Sequence, residues 1–139
     1  MSAADAFFDT NVVLYLFSTD AAKADRAEEL IASGGQISVQ VLNEIAAVAR
    51  RKLGMSWGEI REVVTQLRTV CPVTPLTVET HERGLQVAER FGLSVYDGMI
   101  VASALLSNCA ILYTEDIQDG KIVDGQLTMR NPFAPRQTA

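Results

Sequence analysis

Histidine is nearly missing from this chain: His81 is the only one in 139 residues. One imidazole cannot furnish an acid–base pair of histidines. His81 also stands among Glu79, Glu82 and Arg83, a run that reads as a solvated helix face. A serine–histidine–acid triad would have to use it without any supporting motif. Cysteine is scarce too. Cys71 and Cys109 lie far apart in apolar surroundings, which reads as two buried thiols in a reducing cytoplasm rather than a disulfide. There is no C-x-x-C, no H-E-x-x-H and no glycine-rich phosphate loop, so a zinc site and a P-loop have nothing to build on. No run of about 18 apolar residues exists to span a membrane. The first ten residues lack a basic start and a long apolar stretch, so a secretory signal is not expected and a cytoplasmic location is. Basic residues are also in the minority. With a net charge of −5, general electrostatic attraction to nucleic acid is excluded, and any such binding needs a local basic patch together with metal ions.

What is present suits one domain with one core, over residues 1–139. Short apolar runs alternate with longer helical ones, the pattern of an α/β fold with a mainly parallel sheet. Residues 6–8 form a first strand that ends in Asp9-Thr10-Asn11. Residues 21–32 read as a helix with Asp20 as N-cap and Gly34-Gly35 as its stop. Residues 36–39 suggest a second strand. A helix over 41–53 follows from the spacing of Val41, Ile45, Val48 and Ala49, and Gly54 ends it. Ser56 and Glu59 form a capping box for a helix to about Val70. A short strand around Val73, a helix from Thr77 to about Phe91 stopped by Gly92, and a helix over 95–106 complete the helical part. Residues 110–113 read as a central strand. Residues 121–133 add one or two short strands, and Pro132 and Pro135 mark a loose end.

Four acids stand out. Asp9 follows the first strand and Asp116 lies three residues beyond Tyr113. In open α/β sheets ligands bind at the carboxyl edge, and two parallel neighbours would bring both acids there. Either acid could equally cap the next helix. Glu44 lies within the stripe of Val41, Ile45 and Val48. A charge facing a core is costly unless paired or metal-bound, and its alternative is an edge position with the head in solvent. Asp97 shares a face with Ile100, Val101 and Ala104, at offsets of three, four and seven. The helix dipole explains an acid in the first turn, but not its place on the apolar face. Four converging carboxylates repel and cannot all stay ionised without a cation. Hard oxygen ligands suit Mg²⁺ or Mn²⁺, and such sites hydrolyse phosphate esters.

Four pieces of sequence then resemble the PIN-domain family: Phe7-Phe8-Asp9-Thr10-Asn11, Asn43-Glu44, the run from Tyr96-Asp97-Gly98 to Ala102, and Leu112-Tyr113-Thr114-Glu115-Asp116. The resemblance runs from about Ala6 to about Asp124. Chain length and the lack of further domains look like the toxin of a VapBC-type toxin–antitoxin pair. The resemblance implies a three-layer α/β/α sandwich and a Mg²⁺-dependent endoribonuclease, with Mn²⁺ as a substitute. It places the catalytic and metal-binding acids at Asp9, Glu44, Asp97 and Asp116. It gives Asn11 the task of orienting Asp9 by a hydrogen bond, and Thr114 that of bonding a carboxylate, a water or the substrate phosphate. For the fourth acid Asp116 fits the family's Thr-x-Asp pattern best, with Glu115 and Asp119 near.

The implied partners are an RNA substrate, a cognate antitoxin protein and a second copy of the chain. The homodimer would form through helices between Ala21 and Val70. Arg50, Arg51, Lys52, Arg61 and Arg68 offer a basic rim for phosphates, although basic residues near helix ends are also favoured by the dipole. Trp57 reads as buried between helices, with stacking on an unpaired base as the other role. Two further readings stand beside the nuclease. A haloacid-dehalogenase-like phosphatase would need an Asp where Asn11 stands. A non-catalytic PIN-like binding module would not need all four acids.

Overall fold

The computed structural model describes residues 5–134. Strand β1 (Ala6–Phe8) pairs in parallel with β4 (Ile111–Tyr113), which pairs in parallel with β6 (Leu127–Arg130). Strand β5 (Ile122–Val123) closes that edge antiparallel to β6. On the other side a parallel bridge from Phe7 to Gln36 continues the sheet into the short pair β2 (Ile37–Ser38) and β3 (Val73–Thr74). β1 and β4 therefore lie at the centre. Phe7, Phe8 and Leu112 are fully buried, as expected for strands covered on both faces. The fold is a three-layer α/β/α sandwich, as the resemblance implied.

Six α-helices occupy the described residues: α1 (Thr10–Leu14), α2 (Ala21–Ser33), α3 (Val39–Arg51), α4 (Trp57–Val70), α5 (Val78–Phe91) and α6 (Val95–Leu106). The capping signals act as read. Asp20 accepts from the Lys23 N–H, Ser56 and Glu59 form a reciprocal box, and Gly92 ends α5 at φ 66°, in the left-handed region. Two features differ. Helix α3 starts at Val39 rather than Val41, because Ser38 accepts from the Val41 N–H and caps it. Helix α1 and the 3₁₀ turn after it (Tyr15–Phe17) carry no helical signal in the sequence. Their β-branched and aromatic residues carry low helix propensity, and burial of Val12 and Val13 overrides it.

Trp57 corrects another expectation. It is 56% exposed rather than buried between helices. Helix α4 buries Ile60 and Leu67, and Trp57, in the first turn ahead of them, carries the Arg50 guanidinium 4.7 Å from its ring centroid. Cys71 and Cys109 are buried, and burial pushes both thiols up to about 11, as inert structural cysteines should be. His81 is exposed. Pro132 sits in a turn held by the Arg26 side chain, whereas Pro135 lies outside the described residues.

One packing detail positions an acid. A Cβ at Gly98 would fall 2.4 Å from the Gly84 carbonyl oxygen, so α5 and α6 approach this closely only because that position is glycine. Asp97 precedes it, at the start of the helix that this contact seats.

Candidate active site

The parallel register sets Phe8 beside Tyr113, so the chains leaving β1 and β4 emerge side by side. The Asp9 N–H donates to the Tyr113 carbonyl at 3.0 Å, extending the ladder one step past the strand. Asp9 also caps α1, and its Oδ1 accepts from the Thr10 N–H at 2.6 Å. Its Oδ2 accepts from the Thr114 hydroxyl at 2.7 Å. Thr114 is fully buried and its Oγ1 in turn accepts from the Asp116 N–H at 3.2 Å. The carboxylate bond is one of the three roles open to Thr114 from the sequence.

Helix α6 brings Asp97 to the same edge. Ser94 caps that helix by accepting from the Asp97 N–H at 3.1 Å. Carboxylate oxygens of Asp9, Asp97 and Asp116 then lie within 4.8 Å of one another. Asp9 is 3% exposed, Asp97 half-buried and Asp116 exposed, so the cluster opens from the interior to solvent. Among the described residues no ion pair reaches any of the three.

The electrostatics follow from this. Burial pushes the Asp9 carboxyl up to about 7. The charges of Asp97 and Asp116 push the same way, against the hydrogen bonds from Thr114 and Thr10. Asp97 is raised too, first by burial, then by the Asp116 charge and, more weakly, by Glu44, against a hydrogen bond from Ser94. Such a site lacks positive charge. Three converging carboxylates of graded burial are the donor set of a hard divalent cation, and these residues fit one.

Glu44 stands beside this trio rather than in it. Its Oε1 accepts from the Thr10 hydroxyl at 2.7 Å and its Oε2 from the Gln40 amide at 3.2 Å. Thr10 thereby touches both Asp9 and Glu44, a link with no signal in the sequence. The cap at Ser94 does carry a sequence signal, a serine three residues ahead of an acid at a helix start. Asn11 requires a correction. It does not bond Asp9. Its Oδ1 accepts from the Glu115 N–H at 3.4 Å, because the first turn of α1 swings the side chain toward the β4 loop. Glu115 points away from the trio, bonded to Tyr15 and Lys23, and Asp119 accepts from the Asn131 N–H at 2.9 Å. Of the three acids after Thr114, only Asp116 joins Asp9 and Asp97.

The chain shares this architecture with solved structures of low sequence identity. A toxin–antitoxin complex from Klebsiella pneumoniae superposes with a TM-score of 0.70 at 21% identity, over 92% of this chain and 98% of that one. The sarcin–ricin loop cleaving toxin VapC20 of Mycobacterium tuberculosis gives 0.66 at 22%, over 80% and 89%. DNA-bound VapBC from Salmonella typhimurium gives 0.64 at 18%, over 93% and 98%. No curated protein sequence matches. The family model described as PIN domain matches residues 6–119, which span both central strands and all three clustered acids. The chain belongs to the PIN-domain family.

Proposed function

We propose that this protein is a Mg²⁺-dependent endoribonuclease, with Mn²⁺ able to substitute, acting in the cytoplasm as the toxin of a toxin–antitoxin pair. The observation that carries the reading is the meeting of Asp9, Asp97 and Asp116 within 4.8 Å with no ion pair among the described residues to balance them. Asp9, Asp97 and Asp116 would hold the ion, and Glu44 would complete the acidic site. Bound there, the metal supplies an acidified water and stabilises charge on phosphate oxygens. The chain's own part is geometric. Thr114 and the Thr10 N–H fix the Asp9 carboxylate, and Ser94 seats Asp97. Exposed Arg50, Arg51, Lys52, Arg61 and Arg68 supply phosphate contacts for RNA on an otherwise acidic protein. Purified protein should cleave a structured RNA with Mg²⁺ or Mn²⁺, stop on addition of EDTA, and leave a simple phosphomonoester intact. Undiminished cleavage in excess chelator, or preference for the monoester, would reject the proposal.

Association belongs to the same reading, with a cognate antitoxin and a second copy of the chain as protein partners. An apolar cleft of about 470 Å³ between α2 and α4, lined by Leu16, Phe17, Ile31, Val63, Leu67 and Val70, favours a protein partner on the face expected to form the homodimer. Light scattering should give twice the chain mass at micromolar concentration. A monomer throughout that range would reject the dimer.

A further inference from the structure

We propose that Glu115 is the positioning residue of the candidate metal site: gripped by Tyr15 and Lys23, it sets where its neighbour Asp116 stands relative to Asp9 and Asp97. This rests on the metal-site reading above. Both carboxylate oxygens of Glu115 are engaged. Oε1 accepts from the Tyr15 hydroxyl at 2.5 Å and Oε2 from the Lys23 ammonium at 3.3 Å. Lys23 also donates to the Tyr15 oxygen at 3.1 Å, closing a three-membered ring of contacts. The Glu115 N–H is held by Asn11 at 3.4 Å. Side chain and backbone of Glu115 are thus both tied to the segment that begins at Asp9.

Asp116 needs such an anchor. It is exposed, and its backbone N–H is held by Thr114, which itself holds Asp9. Like charges on Asp9 and Asp97 push its carboxylate outward into solvent. Among the described residues no hydrogen bond or ion pair holds the Asp116 side chain, so the restraint acts through the loop. Glu115, one residue earlier, supplies it. A loop already held in place loses less freedom when an ion binds, and binds it more tightly. The clamp is itself seated: the Tyr15 ring meets Phe133 edge-on at 4.5 Å, the Lys23 ammonium lies 4.7 Å from the Tyr15 ring centroid, and Arg26 holds the Pro132 carbonyl at 3.2 Å. Phe133 therefore braces the clamp through Tyr15.

The test is Mn²⁺ affinity by calorimetry, with hydrogen exchange at the Asp116 amide in EDTA as a metal-free readout. Glu115→Ala and Lys23→Met should weaken Mn²⁺ binding about 10-fold and speed exchange at Asp116. Tyr15→Phe keeps the packing on Phe133, so folding is not at stake, and should shift both readouts the same way. Glu115→Gln still accepts from Tyr15 and should recover most of the affinity. Unchanged affinity and exchange in Lys23→Met and Tyr15→Phe would overturn the proposal. So would a Glu115→Gln loss as large as that of Asp116→Asn with Lys23→Met silent, which would make Glu115 a ligand. Asp116→Asn separates the two readings. If it leaves Mn²⁺ binding at the parent level the metal site is rejected, whereas exchange at Asp116 in EDTA judges the clamp without any metal.

Discussion

Asp9→Asn, Asp97→Asn and Asp116→Asn should each cut Mn²⁺-dependent RNA cleavage by roughly 10² to 10³-fold, the usual loss when one charge-stabilising group is removed from a reaction centre. The three lie within 4.8 Å, so each removes a third of the charge that would hold the ion. Asp119→Asn should stay near the parent rate, because that carboxylate accepts from the Asn131 N–H and serves a turn. Glu44→Gln should fall between, at about 10-fold, since Glu44 meets the trio through Thr10 rather than directly. Single-turnover cleavage of one labelled RNA measures all five on the same scale. An Asp119→Asn loss equal to or larger than that of Asp116→Asn would mean that the site has been misplaced.

The second large effect is on stability, and its sign depends on metal and pH. Without metal the folded protein crowds three acids together, and each charge makes the next costlier. Asp97→Asn keeps the shape and removes one, so in EDTA it should melt at or above the parent temperature despite lost activity. A ligand confined to the folded state adds about 2.7 kcal/mol at 100 times its dissociation constant, on the order of 10 °C for a domain of this size. The parent should gain that increment from Mn²⁺ and Asp97→Asn much less. An Asp97 that only starts its helix predicts equal gains, since Asn also suits helix starts.

The pH dependence follows from Asp9. Its folded value of about 7 lies above the ordinary carboxyl value, so the folded state holds that proton more tightly than the unfolded one. The stability this contributes is complete below about pH 4 and is lost as pH rises through about 7. Asp97, raised in the same direction, adds to the trend. The parent in EDTA should therefore melt progressively lower between pH 5 and pH 8, and Asp9→Asn should flatten the curve. Ligation needs the carboxylate ionised, so the Mn²⁺ increment should grow over the same interval. A parent curve in EDTA that matches Asp9→Asn at every pH would remove the strain assigned to the cluster.

Local chemistry made much of the fold legible in advance. Asp20, Ser56 with Glu59, Thr77 and Gly92 mark helix ends through contacts within a few residues, and those ends fell where the side chains put them. Residues 6–8 and 110–113 read as strands because they are short, wholly apolar runs, and strands β1 and β4 fall there, at Ala6–Phe8 and Ile111–Tyr113. The candidate acids were legible for a related reason: Asp9 and Asp116 follow strands, and Asp97 sits on an apolar face where a charge has no ordinary place. Helix α1 was not legible, because Val12 and Val13 form a helix only against a core that the sequence does not display. Among Glu115, Asp116 and Asp119 the resemblance singles out Asp116, but the contacts that turn the other two away were not legible. All three follow one strand within six residues, and the choice among them depends on Tyr15 and Lys23, distant in sequence, and on Asn131, just past the end of β6. The types of carboxylate and their strand-end positions are local properties and belong to the sequence. Which oxygens meet, which hydroxyl holds them and which acid is turned away are set by contacts between segments a hundred residues apart, and only the packed tertiary structure decides them.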